Sequence, residues 1–591
     1  MCGIIGQINL TQPINEAEFL AMRDTLIHRG PDDAGHWTNA SHTVALGHRR
    51  LAFLDLGPEG RQPLSSPDGR FHLTFNGEIY NYLELRAELE ATGHQFRTQT
   101  DTEVILNGYA AWGTKVLTRL KGMFAFGLWD AARNRLFLAR DRFGIKPLYW
   151  YAGPESFIFA SELKGILAHP PLPQKLNTAA MWDFFTYRYI PSPRTIWKNI
   201  QKLPPAHYLL FTPGQEPHLE EYWRLTPGTK SADREVLIGE IDRLLEQSVA
   251  EHIRSDVPIG SFLSGGYDSS ALVYYLHRLK YPTATFSIGF TGWDESEHQY
   301  ADIVAQQFAT DHHHELLHAG HLELVKELVH FYDEPIADIS IIPTYRVSGL
   351  ARTRVKAVLS GEGADELFAG YTWQQAFPDQ FARQSSLRRW REKRGWETPF
   401  GREFYAEAMA MGRFRTRELF SLFAPAHRPP VLHDADWFYQ QHHRPELNPL
   451  RQMQYLDVKT FMGELVLTKV DRASMAHSLE VRVPFLDHEL FEYLFSIDEQ
   501  VWYAQNQTKY PLYRVLQKHL PEKILRRRKQ GFVGPDRYYQ DIGRYNALVT
   551  DGALVEAGIL NRRYLKKLVA ERDHWRLWKV MVFELWYRKW Q

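Results

Sequence analysis

The sequence holds one cysteine among 591 residues, and it is Cys2. A single cysteine excludes internal disulfides and any cysteine-based zinc site. Initiator methionine is usually removed before a small residue, so thiol and free α-amine are expected to share Cys2. An α-amine titrates at about 8 and can act as general base to the neighbouring thiol. The alternative is structural. Gly3-Ile4-Ile5-Gly6 is apolar, and Cys2 can equally be the small residue that opens a strand.

A second chemistry lies further along. Ile259-Gly260-Ser261-Phe262-Leu263 reads as a strand, Ser264-Gly265-Gly266-Tyr267-Asp268-Ser269-Ser270 follows, and Ala271 to Leu279 reads as an amphipathic helix. A strand that runs through small residues into a helix presents free backbone N–H groups and the positive end of a helix dipole, which suits phosphate. Gly265 and Gly266 let the backbone approach, and the hydroxyls of Ser264, Ser269 and Ser270 add donors. No Gly-Lys-Ser/Thr follows, so this is not a Walker loop. Asp268 suits a pyrophosphate held through Mg²⁺; an ordinary tight turn is the competing reading. A similar loop, Ser360-Gly361-Glu362-Gly363-Ala364-Asp365-Glu366, follows the apolar run VKAVL. Carboxylates at strand C-termini lie where open α/β sheets bind ligands, and Asp268 with Asp365 could jointly hold Mg²⁺.

The elements that must position these residues change in kind along the chain. Up to about residue 210, short strands (GHRRLAFLDL, GRFHLTFNGEIYN, MFAFGLWD, RLFLARD, SFIFASE) alternate with helical patterns, which predicts an α+β sandwich. A Pro-rich passage leads to a polar stretch, so we place a linker at 211–232. From 233 to 591 a long amphipathic helix precedes strand–loop–helix units, the pattern of a parallel sheet with crossovers. The region 374–450 reads as a helical insertion.

Cys2-Gly3-Ile4 together with SGGYDSS and SGEGADE resembles the glutamine-dependent asparagine synthetases over nearly the full length. The resemblance implies an N-terminal-nucleophile hydrolase sandwich (a class II glutamine amidotransferase) at 1–210. At 233–591 it implies an α/β ATP-pyrophosphatase domain related to the adenine nucleotide alpha hydrolases. It makes Cys2 the nucleophile that takes the glutamine amide, with the Asn76 side chain and the Gly77 N–H as oxyanion hole. Arg50 then matches the partner of the glutamine α-carboxylate, Leu51 to Leu54 the pocket lining, and Glu78 and Asp101 the acceptors for its amine. The loop Arg29 to Asp33 matches a pocket wall. In the second half, Ser264 to Ser270 matches the pyrophosphate loop and Asp268 and Asp365 the Mg²⁺ ligands. Leu263, Ile288, Ser360 and Gly361 match positions that hold adenosine, and Glu362 and Lys509 match groups at the acyl-adenylate. The stretches Lys469 to Arg472, Arg482 to Asp487 and Lys529 to Phe532 match blocks near nucleotide and acceptor. Tyr267 departs from the usual aliphatic residue; it is expected to point away from the phosphates and to reshape the acceptor side.

The implied substrates are glutamine, ATP and aspartate, with a polysaccharide uronic acid or a peptidoglycan carboxylate as alternative acceptors. A homodimer in the cytoplasm is expected. Lys+Arg and Asp+Glu are both 70, which argues against nucleic acid or anionic membrane as the main partner. No run approaches about 18 apolar residues, so no membrane span is expected, and the start lacks the basic leader of a secretory signal. Arg526 to Lys529 reads as a local phosphate contact or a solvated helix end, and the 17 Trp as core and interface mass. His312-His313-His314 reads as a solvated strand end, because three adjacent histidines cannot all face one ion and no partner cluster stands out.

Overall fold

The computed structural model describes residues 2–170, 172, 174–293, 296–318, 321–430, 433–504, 507–527, 530–532, 534–535 and 541–591. Lys529, the first residue of the expected Lys529 to Phe532 block, lies outside them. Twelve strands form the amino-terminal part: β1 (Gly3–Asn9), β2 (Asp33–Thr38), β3 (Val44–Arg50), β4 (Leu64–Ser65), β5 (Phe71–Ile79), β6 (Gly122–Asp130), β7 (Arg135–Arg140), β8 (Tyr149–Ala152), β9 (Ser156–Ala160), β10 (Ile200–Lys202), β11 (His207–Phe211) and β12 (His218–Glu221). They make two six-stranded sheets, ordered β10-β8-β9-β1-β3-β2 and β12-β11-β7-β6-β5-β4. Neighbouring strands pair antiparallel.

The sheets pack face to face because the inward side of each strand is apolar. Ile4, Leu46, Trp129, Leu138, Phe157 and Phe159 fill the layer between them. Glycine is required where Phe159 sits. A Cβ on Gly6 of one sheet would come 2.2 Å from its ring, and one on Gly127 of the other 2.3 Å. The helices Tyr82–Ala91 and Thr102–Trp112 cover the outer face of the second sheet through Leu85, Leu89, Val104 and Ile105. The sandwich read from the sequence is therefore present. One difference is local: β3 stops at Arg50, so Leu51 to Leu56 is loop rather than strand.

The carboxy-terminal part opens with the helix Arg234–His252, N-capped by Asp233, whose carboxylate accepts from the N–H groups of Glu235 and Val236. Five strands follow: β13 (Ile259–Phe262), β14 (Ala284–Phe290), β15 (Asp311–Leu317), β16 (Ala357–Leu359) and β17 (Glu480–Arg482). All pair parallel in the order β15-β14-β13-β16-β17. The order reverses direction between β13 and β16, and open α/β sheets bind ligands in the crevice at such a point. Both small-residue loops leave the sheet there. The region 374–450 is helical, as expected, from Thr372–Ala382 through Trp437–His442.

The two parts meet through buried charge. Arg29, fully buried, donates to Asp471 at 2.8 and 3.0 Å and to Glu162 at 2.7 Å. Glu162 also pairs with Arg472 at 2.6 Å and with Lys164, and Arg472 faces Asp333 at 3.5 Å. Lys121, on the other side, meets Glu251, Asp487 and Glu489 at 2.7 to 2.9 Å. Burial alone would depress the Arg29 guanidinium, but Asp471 and Glu162 together raise it. Removing one partner of such a pair strands a charge without water or counter-ion. Asp471→Ala is expected to cost about 3–5 kcal/mol of stability, read as a lower denaturation midpoint. Asp24→Ala, which removes a half-exposed partner of Arg23, is expected to cost at most about 1 kcal/mol.

Candidate functional site

Cys2 immediately precedes β1, whose Gly3 pairs with Arg49, so the thiol lies beside the end of β3. Its nitrogen donates to Asn76 Oδ1 at 2.9 Å, and its Sγ lies 3.9 Å from the Leu51 carbonyl. Fixing Oδ1 in this way fixes the amide, and Asn76 Nδ2 is left buried without a hydrogen-bond partner among the described residues. A buried unpaired donor beside a thiol calls for an acceptor that is not part of the protein. Burial pushes the Cys2 thiol up, so it stays protonated until a base takes its proton. Gly77 follows on β5, where a Cβ would lie 2.1 Å from the Met123 carbonyl; only glycine allows β5 and β6 this approach.

The cavity at Cys2 is lined by Arg50, Leu51, Leu54, Gly77, Glu78 and Asp101, all named from the sequence. Gln62, Thr100 and Thr102 also line it and were not foreseen. Gln62 fixes the floor by accepting from Phe75 N–H at 2.7 Å. Three of the Arg50 guanidinium contacts go to the carbonyls of Leu54, Asp55 and Gly57, at 3.1, 2.5 and 3.0 Å. That loop closes over Arg50 only because residue 60 is glycine: a Cβ there would be 2.1 Å from Arg50 Nη2. The loop Arg29 to Asp33 does not line the cavity. Arg29 Nε instead donates to the Cys2 carbonyl at 3.1 Å while its other nitrogens face Glu162 and Asp471.

Glu78 and Asp101 are buried carboxyls in an acidic corner. Burial pushes Asp101 up to about 7, against a bond of 2.8 Å from Ile79 N–H. Burial also raises Glu78, opposed by Arg482, which lies 3.2 Å away and comes from β17 of the other part. Arg482 is fully buried, bonds Glu480 at 2.6 Å and donates to the carbonyls of His252 and Arg254. Burial works against ionised Glu480, yet Arg482 and Lys146 hold it below the usual carboxylate range. The sequence marked Arg482 only as part of a block, and nothing local announced its pairing with Glu78.

At the switch point of the parallel sheet the two loops touch. A Cβ on Gly361 would meet Asp268 Cβ at 2.8 Å. Helix Tyr267–Arg278 starts four residues earlier than the sequence suggests, which puts Asp268, Ser269 and Ser270 in its first turn. Gly265 needs its positive φ of 69°, and a side chain there would strike Tyr300 at 2.5 Å. Ser264 N–H donates to Ser269 Oγ at 3.1 Å, shaping the turn. Asp268 and Asp365 converge on the Lys509 ammonium, with contacts of 2.5 and 2.6 Å to the first and 2.8 Å to the second. Gly370 gives Lys509 room, since a Cβ would sit 2.2 Å from its Cε.

Ser264, Gly266, Tyr267, Asp268, Glu297, Gly370, Lys509 and Arg527 line one cavity. Leu263, Ile288, Ser360 and Gly361, named from the sequence, are not among its lining; Leu263 and Ile288 are packed in the core beneath. Ser360 Oγ donates to Glu362, keeping that carboxylate at the loop. Of the basic run, Arg527 is neither solvated nor aimed at open solvent. It donates to the Ser264 carbonyl at 2.9 Å and to Glu297 at 2.7 Å. Tyr267 lines the cavity rather than pointing away, and its hydroxyl donates to the Leu525 carbonyl.

Two carboxylates that already share a cation, beside a helix N-terminus, form a donor set that suits Mg²⁺ with phosphate oxygens. A thiol beside an unpaired amide donor is suited to acyl transfer. Together they define a chain with an amide-cleaving half and a nucleotide-binding half. The glutamine amidotransferase domain model matches residues 1–223 and the asparagine synthase model residues 240–588. "Asparagine synthetase [glutamine-hydrolyzing] 1" of Bacillus subtilis is 31% identical over 99% of this chain and 96% of its own. "Asparagine synthetase [glutamine-hydrolyzing] 3" of the same organism is 32% identical over 90% and 87%. "Amidase chry2" of Gibberella zeae is 28% identical over 87% and 84%. The chain belongs to the glutamine-hydrolysing asparagine synthetase family, whose members are ATP-dependent ligases.

The acidic corner generates a pH prediction. Asp101, raised to about 7, can hold an ammonium group only when ionised, so any binding it contributes is present above that pH and is lost below it. The KM for glutamine is expected to rise as pH falls through about 7. Asp101→Asn is expected to raise KM above about pH 7, to match the parent below it, and so to flatten that profile.

Proposed function

We propose that this chain makes asparagine. In this reading Cys2, freed of Met1, attacks the glutamine amide carbon, and its α-amine takes the thiol proton and then passes it to the departing ammonia. Asn76 Nδ2 and Gly77 N–H receive the oxyanion, Arg50 holds the glutamine α-carboxylate, and Glu78 and Asp101 hold its amine. Water then hydrolyses the thioester to glutamate.

In the second half aspartate attacks ATP, giving aspartyl-AMP and pyrophosphate. Ammonia displaces AMP from the acyl carbon. Ser264 to Ser270 cradles the pyrophosphate, Ser360 and Gly361 of the facing loop flank adenosine, and Leu263 and Ile288 support that pocket from the core beneath. Asp268 and Asp365 would hold Mg²⁺, which when bound neutralises charge on the phosphates. Lys509 and Glu362 stand at the acyl centre. We place the glutaminase at 1–210 and the synthetase at 233–591, joined by 211–232. The enzyme acts as a homodimer in the cytoplasm, where ATP and glutamine are supplied; among the described residues no helix is long and apolar enough to cross a membrane.

The observation that carries this reading is Arg482. Its guanidinium pairs with Glu78 in the thiol cavity, and its carbonyl accepts from Ser360 N–H at 2.9 Å in the nucleotide loop. One residue thus ties the two sites together, as expected of an enzyme that makes ammonia in one and consumes it in the other. The alternative acceptors, a polysaccharide uronic acid or a peptidoglycan carboxylate, rest on Tyr267, which lines the cavity with Asp268 in place of the family's usual aliphatic residue.

Acid-dependent ATP–pyrophosphate exchange separates the acceptors. Exchange is expected with aspartate; exchange with another acid and none with aspartate would overturn the default. Cys2→Ala is expected to abolish glutamine-driven product while ammonia-driven product persists. Asn76→Ala is expected to lower glutamine turnover about 10²–10³-fold.

A further inference from the structure

A cluster at the edge of the parallel sheet belongs to neither site. His312 and His314 stand two apart on β15, so their side chains leave the same face, while the His313 ring stacks 5.7 Å from Phe286. Three adjacent histidines do not share an ion, but two of them share a face. Onto that face packs the helix His298–Phe308, which brings Asp302. This is the partner that the sequence did not reveal. Asp302 Oδ1 lies 3.4 Å from His312 Nε2 and 3.5 Å from His314 Nδ1, and the three candidate ligand atoms all lie within 4.8 Å of one another.

Those separations are long for hydrogen bonds. They match the edge of a coordination tetrahedron: ligands about 2.0–2.1 Å from a zinc ion at the tetrahedral angle stand about 3.4 Å apart. We propose that Asp302, His312 and His314 bind a divalent transition-metal ion of the Zn²⁺ class, with water as the fourth ligand. The class follows from the donors, since two imidazoles and one carboxylate suit Zn²⁺ better than Mg²⁺ or Ca²⁺.

The surroundings fit that role. Thr285 Oγ1 lies 2.8 Å from His312 Nδ1 and 2.8 Å from Thr310 Oγ1. When Thr285 donates to Thr310 it accepts from Nδ1–H, which leaves the Nε2 lone pair facing Asp302. Ser287 Oγ, 3.3 Å from Nε2, is the competing donor that an ion would displace. The His312 side chain is 10% exposed, whereas His314 and Asp302 are 39% and 40% exposed, which leaves an entry from solvent and room for the water. His298 lies four residues before Asp302 on the same helix, its ring 5.4 Å from that of His314.

The inference is independent of the acceptor and of the chemistry at Cys2. Its test is a calorimetric titration of the full chain, stripped with chelator, with Zn²⁺ in excess Mg²⁺. The Cys2→Ala form is used so that the thiol cannot contribute. One Zn²⁺ per chain is expected, with affinity lower by about tenfold or more in Asp302→Asn and in His314→Gln. Co²⁺ in place of Zn²⁺ is expected to show the visible absorption of a tetrahedral site, lost in the same two variants. Both substitutions fall on exposed side chains, so the metal-free thermal midpoint is expected to stay where it was. Absence of stoichiometric binding, or equal binding by the parent and both variants, would overturn the proposal and leave the three residues an ion-pairing cluster only.

Discussion

Arg29 is the residue on which the arrangement of the two halves depends. Its guanidinium is buried, yet it is shared between the carbonyl of Cys2, Glu162 of the sandwich and Asp471 of the parallel-sheet part. A charge in that position is tolerable only while all three acceptors stay in place, because the cost of desolvating it exceeds any single Coulombic gain. One side chain thereby ties the backbone at Cys2 to the carboxy-terminal part. Arg472, Lys164, Glu162 and Asp333 extend the same cluster, so sliding of one half over the other would separate several buried charges at once.

The nucleotide half is organised by a different constraint, the close approach of two loops at a reversal of strand order. Gly361 against Asp268, Gly265 against Tyr300 and Gly370 against Lys509 are places where a single Cβ would push the loops apart. The small residues bring the carboxylates of Asp268 and Asp365 onto one cation. Arg482 then joins this region to the acidic corner of the thiol cavity, through a side chain on one side and a backbone hydrogen bond on the other. It is best described as a positioning residue: it touches Glu78 and the strand next to Ser360.

Much of this was legible in the sequence, and the reasons differ by feature. The loops were readable because glycine and serine runs between an apolar strand and a helix have a local physical meaning, and Cys2 because the chain has no other cysteine. The alternating strands point to the sandwich, although β3 ends at Arg50, where the carbonyls of Leu54, Asp55 and Gly57 in the following loop accept from its guanidinium. The helix after β13 starts at Tyr267 rather than at Ala271 because Asp268 and the serines are accommodated in its first turn. What could not be read were pairings across long separations. Arg29 and Asp471 are 442 residues apart, and no period or spacing announces such a pair. Asp302 likewise looks like any exposed helix residue until the helix lies on β15. Leu263 and Ile288 were assigned by motif, and the structure places both in the core under the cavity rather than at its surface.

The central claim is that nitrogen freed at Cys2 reaches an acid activated as its AMP ester within the same protein. Glutamine labelled with ¹⁵N in its side-chain amide, supplied with ATP, Mg²⁺ and aspartate in the presence of excess unlabelled ammonium, tests it most directly by mass spectrometry. The account predicts labelled asparagine, with AMP and pyrophosphate formed in equal amount. Unlabelled product, or ADP and phosphate in place of AMP and pyrophosphate, would contradict it.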